Sequence, residues 1–334
     1  MRRTTAILTA VAAAALVAGA LAGCAPTGRG PGNQPAGCTP ALPSGDASSI
    51  VKATGHFGKD PRASFPTPIV VKKSDEVTVL KAGRGLVATT GSQVDLDATI
   101  YDARSGQAIL STAYNGSLRA VAGKGLPGQV SLGKSSLATA LVCAQTGSRI
   151  ALTTNGKRLN AASGLSASAS LVAVIDVVHV YPGKADGLNQ LPQDGMPTVI
   201  TAVDGQPGIV LQELDKPKTA RSEVVKAGGG AVLKKGQTSV LHYTAWTWPD
   251  SNGDKPAVID SLDTWSSGIA EDVALTTSDG VLPPKAIDAI VGQKVGSQLL
   301  VVLPPKDGYG KNPPAGATAD DTVIFVIDVL GIRT

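Results

Sequence analysis

The chain runs to 334 residues, 43% of them hydrophobic, which is enough for two domains of ordinary size with a core each. Its formal charge of +4 includes Arg2 and Arg3, and no later cluster of Lys and Arg is interleaved with aromatics, so nucleic acid is not expected as a partner. The three histidines, His56, His179 and His242, are too far apart for a metal-ligand spacing, and there is no G-x-S-x-G elbow, phosphate loop or H-E-x-x-H. No metal and no cofactor are expected.

In chain order, Arg2 and Arg3 precede an apolar run, Ala6 to Leu21, that is short for a hydrocarbon core of about 30 Å and ends in Leu21-Ala22-Gly23-Cys24. This resembles a bacterial lipobox. The resemblance implies a signal peptide over residues 1–23, a lipid on Cys24, and a mature chain tethered on the extracytoplasmic side of the cell membrane. An ordinary secretory signal with a chance cysteine is the plainer alternative. No later apolar stretch reaches the length of about 18 residues that a spanning helix needs. Residues 24–49, rich in Gly, Pro, Ala, Ser and Thr, read as a flexible tether. With Cys24 lipidated, Cys38 and Cys143 remain as a pair in an oxidising compartment, and a disulfide is expected over free thiols.

The rest of the chain repeats itself. Val79-Leu80-Lys81-Ala82-Gly83 returns as Val224-Val225-Lys226-Ala227-Gly228, Gly91 as Gly236 before an alternating strand, Gly147-Ser148 as Gly296-Ser297, and Val174-Ile175-Asp176-Val177 as Val326-Ile327-Asp328-Val329. Two copies of one domain follow, residues 50–185 and 207–334, with 186–206 as the linker, in which Thr198-Val199-Ile200 is a candidate strand. Each copy is mostly strand in period, with one short helix: Ser135 to Ala144, opened by capping serines, and Pro284 to Val291, opened by a proline suited to a first turn. Strands around a single helix predict an antiparallel α+β domain.

In the second copy Lys235-Gly236-Gln237-Thr238-Ser239-Val240-Leu241-His242-Tyr243-Thr244 resembles the opening strand of the FKBP-type peptidyl-prolyl isomerases. Ile259-Asp260-Ser261, Val291-Gly292-Gln293, Leu303-Pro304-Pro305 with Gly308-Tyr309-Gly310, and Thr322 to Leu330 follow in that family's order. The resemblance implies an FKBP-like five-stranded antiparallel sheet curled around a short helix, with an apolar cleft for a prolyl ring. It implies that Tyr309 donates to the substrate carbonyl, that Tyr243 and Phe325 form walls, and that Asp260 polarises the carbonyl's surroundings. Ile259 stands where an aromatic wall is usual. The tryptophan of the family's floor is missing from Leu282-Pro283-Pro284-Lys285-Ala286-Ile287, where spacing puts Ala286 or Ile287 in its place; Leu282 is a further candidate pocket residue, and Trp265 is a candidate to approach from another loop.

Taken alone, Tyr243 and Phe325 fit ordinary core positions, Asp260-Ser261 fits a turn, and Trp246 and Trp248 share one strand face as packing residues. Tyr309 between glycines has the least packing reason to be where it is. Aligned through Gly91 and Gly236, the first copy has Asp97 and Ala98 for His242 and Tyr243, Ala173 for Phe325, and no aromatic from Thr153 to Ala169, so it is expected to be inactive. The expected function is a monomeric prolyl isomerase acting on proline-containing polypeptides among exported proteins, with a non-catalytic FKBP-like binding lipoprotein as the rival.

Overall fold

The computed structural model describes residues 37–71, 73–125, 135–159, 165–211, 213–250, 255–276 and 280–333. Residues 1–23, read as a signal peptide, and Cys24 lie outside the described residues. The first part of the chain comprises α1 (Asp46–Ser49), β1 (Lys52–Thr54), β2 (Arg62–Ser64), β3 (Glu76–Lys81), β4 (Gln93–Asp102), β5 (Ala108–Ser111), β6 (Leu118–Val121), α2 (Ser136–Ala140), β7 (Arg149–Asn155), α3 (Gly156–Leu159) and β8 (Ser170–Tyr181). The second comprises β9 (Leu188–Asn189), β10 (Thr198–Thr201), β11 (Pro207–Val210), β12 (Arg221–Ala227), β13 (Thr238–Thr247), β14 (Ala257–Asp263), α4 (Thr264–Ser267), β15 (Glu271–Ala274), α5 (Pro284–Ile290), β16 (Gln298–Leu303) and β17 (Val323–Ile332).

Two large sheets form beside the two-stranded sheets β1-β2 and β10-β11, and apart from β9 their strand orders correspond. The first is ordered β3-β7-β8-β4-β5 with β6 also on β4; the second is ordered β12-β16-β17-β13-β14 with β15 also on β13. All the ladders are antiparallel, and the sheets carry six and seven strands, the seventh being β9 on the edge of β12, where five were expected. The repeated glycines explain themselves sterically. A Cβ on Gly83 would strike the Thr146 carbonyl oxygen, and one on Gly228 the Val295 carbonyl oxygen, so at both places the chain end of one strand passes against the turn before another. The predicted helices appear as α2, which stops at Ala140 short of the expected Ala144, and α5, with Ser135 Oγ accepting from Ala138 N at 3.1 Å and Pro284 opening α5; the one-turn helices α1, α3 and α4 were not expected.

Each sheet is covered on both faces, which is why β8 and β17 read as nearly unbroken apolar runs. The concave faces hold the main cores around α2 and α5. On the convex faces lie smaller cores roofed by preceding chain: Val51, Ile69 and Phe65 over Tyr101 and Val174, and Met196, Val199 and Ile209 over Trp246, Trp248 and Ile324. A matched aspartate fastens each roof, Asp176 Oδ2 accepting from Gly58 N and Asp328 Oδ2 from Ala185 N, both at 2.7 Å. The stretch read as a linker, 186–206, is therefore part of the second roof; its Gly and Pro content reflects close fitting to a sheet. From Cys38 on, the stretch read as tether also belongs to the first unit, through α1 and the Cys38–Cys143 disulfide, whose Cα atoms are 5.7 Å apart.

The two units meet at the end of β4 and the flank of β13. Tyr181 packs with Val240, Ala270 and Leu330, and a Cβ on Gly331 would overlap its ring. Around it Arg119 bonds Asp95 at 3.1 Å and Asp272 at 2.9 Å, Arg333 bonds Asp95 as well as Asp272, and Gln93 Nε2 donates to Gly268 O at 3.0 Å. Asp95 and Arg119 are 4% and 11% exposed, so these charges are shielded from solvent and the contacts hold one arrangement.

Candidate active site

Alternation along β13 sends Leu241, Tyr243 and Ala245 to the concave side and Trp246 to the convex side. Tyr243 thus reaches the mouth of the concave core, opposite the loop after β16, which begins with a 3-10 turn over Pro305–Asp307 and brings Tyr309 across. Between them is a hollow of about 310 Å³, lined by Tyr243, Ser261, Leu262, Glu271, Val281, Tyr309, Asn312, Pro314 and Ala315. Hollows of about 390 Å³ beside Glu223 and about 490 Å³ beside Lys285 are larger, yet neither has an aromatic in its lining. Size does not single out the site; the two tyrosines do.

Phe325 supports the hollow from beneath, fully buried, with its ring 6.4 Å from that of Tyr309. Ile259, Leu282, Ala286 and Ile287 all lie in the same core, below the lining. None of these four expected pocket residues borders the hollow itself. The loop is pinned by Ser261 Oγ, which donates to Ala315 O at 2.9 Å. Tyr309 Oη donates to Val281 O at 3.0 Å, so its proton is aimed across the hollow at the strand-to-helix connection. Burial raises the Tyr309 hydroxyl pKa, and the charge of Glu271 raises it further, which keeps this group a neutral donor.

Two predicted site residues are elsewhere. Asp260 is exposed on β14, outside the hollow, because it lies on the strand face opposite its buried neighbour Ile259; beyond it β14 is irregular against β13 between Thr244 and Trp246 and buries Ile259 and Leu262 three residues apart instead of two. Trp265 lies on the opposite face of the sheet, stacked on His242 with ring centroids 4.4 Å apart, and its Nε1 is buried with no hydrogen-bond partner among the described residues. His242 Nδ1 meets Thr264 Oγ1 at 2.8 Å, and burial, followed by the Lys124 and Arg119 charges, lowers the imidazole pKa to about 3.

The acid in the hollow is Glu271. Its Oε2 accepts from the Tyr243 hydroxyl, and β15 places it there by alternation, Glu271 and Val273 turning inward while Asp272 turns to Arg119 and Arg333. Sequence reasoning passed over Glu271 because an acidic pair on a short strand reads as a solvated edge; the apolar Val273 two residues later was the available signal. In the first unit the ladder puts Ala173 opposite Ile100, as Phe325 is opposite Ala245, so the corresponding core lacks the aromatics that border the hollow.

Residues 229–330, which carry every residue lining this hollow, match the family model described as FKBP-type peptidyl-prolyl cis-trans isomerase. The second unit thus contains an FKBP-type domain, and β1 through β12 lie outside the match. Among solved structures, the chain is similar to FkpA from Escherichia coli, at 23% identity over 42% of this chain and 53% of that one, with a TM-score of 0.29. It is similar to the three FKBP domains of wheat FKBP73, at 15% identity over 78% of this chain and 94% of that one, TM-score 0.30. The N-terminal domain of FKBP42 from Arabidopsis thaliana follows, at 21% identity over 38% and 100%, TM-score 0.28. The chain spans about half the length of the Escherichia coli protein, 53%. A comparison with curated proteins finds no match.

Proposed function

We propose that the second unit is a peptidyl-prolyl cis-trans isomerase acting on exported polypeptides, that the first unit is non-catalytic, and that a lipid on Cys24 keeps the monomeric protein at the outer face of the cytoplasmic membrane. The observation that carries the enzymatic part is the pair Tyr243 and Tyr309 facing one hollow over Phe325, inside the segment that matches the isomerase family. Rotation about an X–Pro amide meets a barrier of about 18–20 kcal/mol because resonance is lost in the twisted state. A cleft that strips water from the carbonyl and seats the ring beside it favours the twisted state over both planar ones, with no proton transferred. Tyr309 supplies a neutral donor at the wall, turning from Val281 O to the substrate carbonyl.

The engagement of Tyr309 with Val281 O and the aliphatic floor favour the rival reading, a peptide-binding FKBP-like protein without turnover. Proline-limited refolding of a test protein separates the two. The mature chain is expected to accelerate the slow phase and Tyr309→Phe to lose most of that acceleration; binding of proline peptides with no acceleration establishes the rival. The roles of the first unit and of the lipid are read from the same assay on Arg119→Ala and from membrane fractionation of Cys24→Ser.

A further inference from the structure

We propose that Glu271 makes the hollow selective for a cationic side chain, Lys or Arg, adjacent to the substrate proline, and against an acidic one. The inference rests on reading the hollow as the prolyl site. Among the described residues lining it, Glu271 is the one charged side chain. It is half-buried, so its charge is poorly screened, and it is fixed in place by the Tyr243 hydroxyl on Oε2, which leaves Oε1 to accept from a ligand.

The cations nearest in the fold do not neutralise it. Arg119 and Arg333 lie on the other side of β15, bonded to Asp95 and Asp272, and Lys311 is exposed on the loop and is not part of the lining. The Tyr309 hydroxyl already senses the uncompensated charge. A lysine or arginine beside the bound proline would supply the missing counterion, whereas an acid would stand against Glu271 in a partly desolvated space.

The test is a set of Ala-Xaa-Pro-Phe peptides with Xaa as Lys, Leu or Glu, given to the mature chain and to Glu271→Gln and Glu271→Lys at low ionic strength. The Lys-to-Glu ratio of kcat/KM is expected to be about tenfold in the native protein, to shrink with added salt, to approach about one in Glu271→Gln and to invert in Glu271→Lys. A ratio unchanged in Glu271→Gln, with the variant folded by circular dichroism, overturns the proposal. If no peptide is turned over by the native protein, the isomerase reading has failed and the peptides are titrated instead, following tyrosine ring signals by NMR. A Lys-to-Glu affinity ratio that disappears in Glu271→Gln then supports the proposal, and a persistent ratio or no binding by any peptide overturns it.

Discussion

The imidazole of His242 offers a pH experiment whose outcome follows from its surroundings. The ring is 2% exposed, sandwiched between Trp265 and the first unit, bonded to Thr264 and facing Gln93 Nε2 at 3.4 Å, with Lys124 and Arg119 adding repulsion. Burial lowers its pKa from 6.5 to about 3. The folded protein therefore binds fewer protons than the unfolded chain below about pH 6.5, and stability that is complete above that value is lost as pH falls. Between about pH 7.5 and pH 5 the loss comes to about 2 kcal/mol, undiminished by solvent screening because the ring is enclosed. Glu223 and Asp328, whose pKa values burial raises, act with the opposite sign, gaining protons in the folded state and offsetting part of the loss. The measurement is accordingly a difference: urea unfolding of the native protein and of His242→Gln at both pH values. The native protein should lose about 2 kcal/mol more than the variant. A difference below about 0.5 kcal/mol would refute the account of a neutral histidine locked at the junction.

Other outcomes follow from the packing. Arg119→Ala removes one of the two cations on Asp95 and on Asp272 and frees Ala270 O beside Glu271, so it should cost about 2 kcal/mol in thermal unfolding and lower the refolding acceleration, a change confined to stability counting against a positioning role for the first unit. Phe325→Ala should cost about 3–5 kcal/mol in denaturant unfolding and abolish activity, since it empties the support of Tyr309. Trp265→Phe removes a buried donor with no partner among the described residues, so it should shift stability by less than about 1 kcal/mol and leave the refolding rate as it was. Reducing Cys38–Cys143, which closes a separation of 105 residues, should lower stability by about 2–4 kcal/mol as read by unfolding with and without reductant.

Much of this fold is legible because its signals are local. Among the repeated glycines, Gly83 and Gly228 sit where no Cβ fits and Gly91 and Gly236 in turns of positive φ, Ser135 and Pro284 mark helix starts, and the paired V-I-D-V motifs mark the central strands. Of the second roof, Thr198-Val199-Ile200 was legible and forms β10, whereas residues such as Leu188 and Asn189 lack strand character and are ordered by the sheet they lie on, Lys226 pairing with Asn189 and Ala227 with Leu188. Propensity carries no record of a partner supplied by distant chain. The strand phase of β14 was lost for a related reason. A bulge resets which residues face inward, and nothing in Val258-Ile259-Asp260-Ser261-Leu262 announces which of two nearby apolar residues begins the new phase.

That reset has a chemical consequence for the site. Had β14 kept strict alternation from Ile259, Ser261 would turn toward the core and Leu262 outward, and no apolar side chain from this strand would border the hollow. With the bulge, Leu262 is buried and lines the hollow and Ser261 is left to hold the loop through Ala315 O, while Asp260, next to buried Ile259, faces solvent in either case. The hydrogen-bonding acid of the hollow then comes from β15, a strand whose other face is gripped by the first unit through Asp272 and Ala270. A carboxylate on β14 would have answered only to the second unit. Placed on β15, it ties the polarity of the hollow to the junction, which gives the first unit a physical reason to be retained beside the second.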